Sequence, residues 1–360
     1  MDQQFQYDVV IIGGGAAGLS AAVTLGRALR SVLVIDAGQP RNAPAAGVHG
    51  FLSRDGMSPL ELLSIGREEV STYGGVIRQG TAVSARALDS RAGGLQPSKS
   101  GFEVLLEDGR PVTAQRLLLT TGLVDELPDI PGLREQWGHG VVHCPYCHGW
   151  EVRNRPIGVL ASGPMAIHQA LLFRQWSTDI TLFLNDAGTP TEEEWEKLAA
   201  RSIRVVEGAV REVQADADGV TGVVLESGRA FALGALVVGP RFAARSAVAA
   251  SLGLLTTEHP LGVGASLETD ARGATAVKGV WAAGNATDLV AQVISSAAGG
   301  VAAGAAINAD LIDEETTAAV EARKNGFPAA TEARISKLIL GNKRHGLETV
   351  LTPTLEHHAS

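Results

Sequence analysis

The residues best suited to chemistry lie together at His143-Cys144-Pro145-Tyr146-Cys147-His148-Gly149-Trp150-Glu151, which holds both cysteines of the chain. Two thiols separated by two residues can close a small disulfide, and such thiols often ionise below the usual range. A thiolate attacks a disulfide sulfur, so a poised pair passes two electrons between partners. Half of a zinc site and two packed thiols are the competing readings. A structural zinc ion takes four ligands. The other two here would be His143 and His148, crowded onto the same loop. The redox pair is the better reading, and no metal is expected. His148 is the candidate base, because imidazole titrates near neutral pH and each exchange step needs a thiolate. A backbone-bonded loop histidine is its bland alternative, and for His143 a structural role is favoured. Tyr146 and Trp150 suit a substrate-pocket wall and a core position equally.

The elements that must position this loop are legible on both sides of it. Residues 7–12 read as a buried parallel strand. Gly13-Gly14-Gly15-Ala16-Ala17-Gly18 follows, then a helical run over residues 19–28. In this spacing Gly13 permits the tight turn, Gly15 lets backbone approach a pyrophosphate, and Gly18 lets helix and strand pack closely. The helix N-terminus supplies N–H donors and the positive dipole end. The next strand, residues 31–36, ends in Asp36, 23 residues after Gly13 and placed for a ribose hydroxyl. Strand, glycine turn, helix and spaced acid together predict dinucleotide binding.

Residues 38–59 form a long Gly- and Pro-rich loop. Loops of that length are usually functional, and this one is expected to run along the cofactor, with a surface excursion as the alternative. Residues 59–73 read as an amphipathic helix. Residues 75–87 and 102–106 read as strands, 90–100 as a polar loop, and 116–122 as a buried strand ending in Thr120-Thr121-Gly122.

A second strand–turn–helix unit starts at residues 156–160 and carries the turn Ala161-Ser162-Gly163-Pro164-Met165-Ala166, with its helix expected to reach about Trp176. Ala161 replaces the first glycine, and Pro164 removes an N–H donor. No Arg or Lys follows the next strand, residues 180–184, to pair with a 2′-phosphate, although Asp186 could serve a plain ribose. Residues 192–200 read as a helix and 203–238 as short strands. Later, Gly279-Val280-Trp281-Ala282-Ala283-Gly284-Asn285 reads as a strand entering a glycine turn, and a small-residue helix is expected over 290–308. Residues 321–360 read as an appended tail, with a short helix over 330–340.

The length of 360 residues suits two domains with real cores. The net charge is −9 with no basic stripe, which speaks against a nucleic-acid partner. Two cysteines make no secreted disulfide framework. The apolar run over residues 9–22 is glycine-broken and too short to span a bilayer. With no signal-peptide pattern in view, a cytoplasmic protein without membrane association is expected.

Over roughly residues 5–315 the chain resembles the low-molecular-weight, thioredoxin-reductase-like flavoproteins. The shared features are the first glycine motif with Asp36, Thr120-Thr121-Gly122, the internal C-x-x-C, and Ala283-Gly284-Asn285 with Gln292 after it. The resemblance implies an α/β fold of two Rossmann-like domains and a homodimer. It implies FAD in a discontinuous domain of residues 1–121 and 247–320, with a cysteine-bearing domain, 122–246, inserted. FAD is then expected at Gly13, Gly15, Ala16, Ala17 and Gly18, and at Asp36, Ala37 and Gly38. Arg41, Asn42 and His49 would meet it from the loop, and Thr121, Gly122, Gly284, Asn285, Gln292 and Val293 complete the expected set, Asn285 at the ribityl chain.

Three departures separate the chain from thioredoxin reductases of this type. His148 stands where they carry an acid, the second glycine motif is broken, and Leu184, Asn185 and Asp186 replace their His-Arg-Arg element. Cys-x-x-Cys-His-Gly with an aromatic and Glu is similar to the branch of dithiol oxidases that close disulfides in gliotoxin- and holomycin-type natural products. That resemblance implies a small-molecule dithiol as substrate, Cys147 nearer the flavin, and O2 as final acceptor. A reductase moving electrons from NAD(P)H to thioredoxin or a similar disulfide is the alternative. A ferredoxin-fed flavoprotein and a flavin-bound sensor are weaker ones.

Overall fold

The computed structural model describes residues 5–88, 101–185, 187–326, 333–335 and 338. The polar loop expected at 90–100, Asp186 and most of the helix expected at 330–340 lie outside the described residues.

Strand β1 (Tyr7–Ile12) feeds helix α1 (Ala16–Arg27) and returns as β2 (Val32–Asp36). Helix α2 (Pro59–Thr72) leads to β3 (Val76–Gln79), followed by β4 (Ala82–Leu88), β5 (Gly101–Leu106) and β6 (Pro111–Leu119). Next come β7 (Leu123–Glu126), β8 (Val141–Val142) and the single helical turn α3 (Pro145–His148). The second unit runs through β9 (Ile157–Leu160), α4 (Ala166–Phe173), β10 (Ile180–Phe183), α5 (Glu192–Ala200) and β11 (Arg204–Val206). Strands β12 (Val210–Asp216), β13 (Gly219–Leu225), β14 (Ala230–Ala232) and β15 (Ala235–Val238) follow. The chain ends its described course with β16 (Arg241–Ala244), α6 (Ala247–Ser251), β17 (Thr256–Glu258), β18 (Gly264–Leu267), β19 (Val280–Ala282) and α7 (Val293–Gly326).

Among the described residues the strands form four sheets. The first has the order β3-β2-β1-β6-β5-β4, with β19 also paired to β6. Its parallel centre aligns Ile12 with Ile35 and Leu119, so three strand ends open at one edge. Val9, Val10 and Ile11 are fully buried, and each contributes on the order of 2 kcal/mol through lost apolar surface. The second sheet has the order β11-β10-β9-β15-β8, with each neighbouring pair parallel. Both are Rossmann-like, each with a βαβ unit at its centre. A hairpin sheet, β12-β13-β14, packs its apolar face with Phe183, Leu236 and Val238.

The chain leaves the first sheet through β7 and comes back through β16. The two are antiparallel partners, Leu123 opposite Ala244 and Glu126 opposite Arg241. Strands β18 and β17 extend this ribbon to a four-stranded sheet.

Several expectations need correction. The strand expected over 75–87 is two strands, because Gly80 turns at φ +156° and donates its N–H to Asp36 O at 2.9 Å. Helix α4 stops at Phe173, and Trp176 lies in the turn beyond it. Helix α7 starts at Val293 and runs unbroken to Gly326, past the start of the expected tail. The described residues up to Asn308 belong to one compact unit, and α7 enters a second from Ala309.

Candidate active site

The first glycine turn is three residues long, from the end of β1 to the start of α1. Gly13 adopts φ +114°, and a Cβ there would fall 2.2 Å from Thr120 O. Thr120 Oγ1 donates to Gly13 O at 2.8 Å, which ties β6 to the turn. Gly15 is the N-cap of α1 with no side-chain cap, and a Cβ there would meet nothing within 4 Å. The uncapped N–H groups of α1 therefore face open space, with no acid in the first turn.

That space is a cavity of about 1410 Å³, lined continuously from the first turn to the cysteine segment. Gly13, Gly15, Ala16, Ala17, Asp36, Ala37, Arg41, Asn42 and His49 line it, as do Thr121, Gly122, Gly284, Asn285, Gln292 and Val293. Gly18 and Gly38 do not. Gly18 lies behind the turn, where a Cβ would fall 2.0 Å from Gly13 O. Gly38 donates its N–H to Asp36 Oδ1 at 3.1 Å. Asp36 also meets Arg67 of α2 at 3.1 Å. Open room at Gly15, free donors on α1 and an acid at the end of β2 fit a dinucleotide, with phosphate at the helix and ribose at Asp36.

The structure gives some of these residues other work. Arg41, expected at the cofactor, holds Asp125 of β7 in a two-pronged pair at 2.8 and 2.7 Å, and its guanidinium lies 5.3 Å over the Phe242 ring. Asn285 Nδ2 donates to Asp288 O and Ala291 O, both at 3.0 Å, and so shapes the loop before α7. Thr121 Oγ1 donates to Arg245 O at 2.7 Å.

The cysteines, expected on a loop, sit on α3. Cys144 is its N-cap and Pro145 occupies the first turn, where a missing N–H costs nothing. Both thiols are free and half-buried, with Cys147 Sγ donating to Cys144 Sγ at 2.6 Å. This bond, backbone N–H groups of Cys147 and Tyr146, and the side chain of Gln292 bring the Cys144 pKa down to about 7 against the effect of burial. The same bond and burial push the Cys147 thiol up. Above about pH 7 the reduced pair therefore carries one proton, held on Cys147. Gln292, expected only as a cofactor contact, reaches the thiolate across 148 residues of sequence. No spacing rule could have found it.

His148 lines the cavity, and neither ring nitrogen has a partner or contact with solvent. Burial lowers its pKa, and Glu151 opposes that shift. The imidazole is held neutral and able to accept a proton. His143 is different: its Nδ1 lies 3.0 Å from Gln169 Nε2 and 3.3 Å from Val238 O, and its ring meets Phe242 edge-on. Tyr146 lines the cavity and packs edge-on against Trp176. Trp150 does not line the cavity. It is exposed, with Arg153 stacked 3.9 Å over its ring.

The second glycine turn also borders the cavity; helix α4 starts after Met165 without a side-chain cap, and a Cβ at Gly163 would meet nothing within 4 Å. Ser162 Oγ donates to Gly239 O at 2.8 Å. Asn185 Oδ1, beyond the end of β10, accepts from Val210 N at 2.8 Å. Among the described residues no helix is long and apolar enough to cross a membrane.

The family model for pyridine nucleotide-disulphide oxidoreductases matches residues 7–304. A probable thioredoxin reductase of Arthroderma benhamiae is 34% identical over 190 residues, but this match spans only 46% of that protein and 53% of this chain. Thioredoxin reductase sirT of Leptosphaeria maculans is 31% identical over 326 residues, 87% of this chain and 96% of that one. The crystal structure of HlmI superposes with a TM-score of 0.82 at 42% identity, covering 89% of this chain and 97% of HlmI. The chain belongs to the pyridine nucleotide-disulphide oxidoreductase family, as a thioredoxin-reductase-like, FAD-dependent oxidoreductase.

Proposed function

We propose that the protein is a dithiol oxidase, converting a small-molecule dithiol of natural-product type to its intramolecular disulfide and reducing O2 to hydrogen peroxide. One observation carries this reading. The cavity joins the cysteine pair to the FAD-type turn, while at the second turn, where a nicotinamide nucleotide would bind, Ser162 is bonded to Gly239 and Pro164 has no N–H, and beyond β10 Asn185 is bonded to Val210.

The substrate enters over α3. His148 accepts the proton of one substrate thiol. The resulting thiolate attacks Cys144 Sγ, breaking the Cys144–Cys147 bond. Cys147 is the more basic thiol and leaves with the proton returned by His148. His148, neutral again, accepts the proton of the second substrate thiol, and that thiolate attacks the substrate sulfur of the mixed disulfide. Cys144 departs as a thiolate, an easy step for a leaving group with a pKa of about 7. FAD, when bound, supplies the two-electron acceptor that restores the enzyme disulfide and delivers the electrons to O2. The first glycine turn and Asp36 would hold its adenosine diphosphate half, with Asn285 and Val293 near the other end. Within this reading FAD belongs to residues 1–121 and 247–320, the cysteines to an inserted domain of 122–246, and the working form is a cytoplasmic homodimer.

Anaerobic bleaching of the flavin band near ~450 nm tests the proposal. A small dithiol alone should bleach it, and air should restore colour and yield peroxide. Cys147→Ser should abolish both. Rapid bleaching by NADPH or NADH with none by the dithiol would instead establish the disulfide-reductase alternative, which the parallel β8–β11 and β15 sheet still accommodates.

A further inference from the structure

Helix α4 belongs to the second Rossmann-like unit, but one of its faces looks elsewhere. Ala166, Ala170 and Phe173 are buried in the core of that unit, with Ile167 and Leu171 packed against it. The opposite stripe, Met165, His168, Gln169 and Leu172, follows the i, i+3, i+4, i+7 spacing of one helix face and lines the cavity. An outward stripe is polar when only water faces it. This one has Met165 and Leu172 at its ends, both half-buried and neither packed into that core.

The stripe runs beside the cysteines. Gln169 Nε2 lies 3.0 Å from Nδ1 of His143, the residue before Cys144. Trp176, just past α4, meets the Tyr146 ring edge-on at 5.9 Å. Gly149 at the end of α3 makes room for that indole, since a Cβ there would fall 2.8 Å from it. Tyr146, between the two cysteines in sequence, lines the cavity and is 65% exposed. Leu172 falls between the two tie points, one turn on from Gln169 and one before Trp176. The wall beside the cysteines therefore offers apolar surface from two helices. It offers little charge: burial lowers the pKa of both His143 and His148, and Arg41 is paired with Asp125.

We propose, on the oxidase reading, that the outward stripe of α4, with Tyr146 of α3, receives the body of the dithiol and selects uncharged, ring-bearing substrates. A flat apolar body laid along Met165 and Leu172 loses contact with water while its thiols face Cys144. A carboxylate at the same wall would lose its water without meeting a free cation. Leu172 is the position that sets this choice.

Two matched pairs of dithiols test the wall on the FAD-loaded protein. 1,2-Benzenedimethanethiol and dithiothreitol both close six-membered disulfides and differ in the benzene ring. Dihydrolipoamide and dihydrolipoate differ in one carboxylate. Wild type should favour the ring by at least about tenfold in kcat/KM and the amide over the acid by about fivefold, with both differences in KM. L172N should cut the ring preference to about a third, L172M should restore it, and L172K should favour dihydrolipoate. A wild type that prefers neither the ring nor the amide, or preferences that L172N and L172K leave unmoved, overturns the proposal. Calorimetry with the disulfides lipoamide and lipoate needs no turnover. Wild type should bind lipoamide more tightly, and L172K should bind lipoate more tightly. Equal affinities overturn the proposal, as does displacement of lipoamide by NADH, which would give the stripe to a nucleotide. Wild type that oxidises none of the four dithiols sinks the functional reading instead, and the calorimetry still decides the role of the wall.

Discussion

The two glycine turns occupy equivalent places in two βαβ units and border the same cavity, yet they differ in length and in what their side chains bond. Three residues separate β1 from α1, and five separate β9 from α4. The short turn aims uncapped N–H groups at open space beside Gly15. The longer one starts its helix later, behind Pro164 and the Met165 cap, and its hydroxyl bonds Gly239. The acid after the first unit's second strand faces the cavity, whereas Asn185 in the second unit holds Val210. Both helices start without a side-chain cap, so what separates the turns is length, the N–H that Pro164 lacks and the bond of the Ser162 hydroxyl to Gly239.

Substitution at Gly15 should break this contrast most severely. Gly15→Val points its side chain into empty room, so the fold should survive while flavin content falls at least about tenfold, read from absorbance and melting temperature together. Gly163→Val at the matching position of the second unit, where a Cβ also meets nothing within 4 Å, should leave flavin content unchanged. Asp36→Asn should come next, weakening FAD by roughly tenfold through loss of a charged acceptor, measured by flavin release on dilution. A smaller effect is expected from Gln292→Ala. It removes a bond that stabilises the Cys144 thiolate, so the pKa rises and the pH midpoint of iodoacetamide alkylation moves above 7. The smallest is expected from Ala161→Gly, which frees no donor. NADPH should bleach the variant's flavin no faster than the wild type's.

The sequence disclosed what is local. A strand, a glycine turn, a helix and Asp36 fall within 30 residues of one another, and both cysteines fall within four. Each is read by spacing. The engagement of Arg41 by Asp125, of Asn185 by Val210 and of Cys144 by Gln292 was hidden, because those partners lie 84, 25 and 148 residues apart. Trp150 shows a second limit: an aromatic next to a turn can point into a chamber or out of it, and here the Arg153 guanidinium covers it on the outside. The helix expected over 290–308 already spans Gly299, Gly300 and Gly304, and Gly300 lies close against α1, where a Cβ would fall 2.0 Å from Ala17 O; what the reading missed is its continuation to Gly326.

The pairing of β7 with β16 also has a mechanical meaning. The two passages of the chain between the Rossmann-like sheets are one hydrogen-bonded ribbon, pinned by Arg41 on Asp125 and by Arg245 N on Gly122 O at 3.0 Å. Sliding one strand past the other by a single residue would exchange its faces and break the ladder, so the ribbon resists shear. It can bend at its ends, where Gly122 with φ +69° leads in and Gly239-Pro240 lead out. Relative movement of the two sheets therefore reduces to a swing on one pivot, and the loop that carries Arg41 is bolted to that pivot.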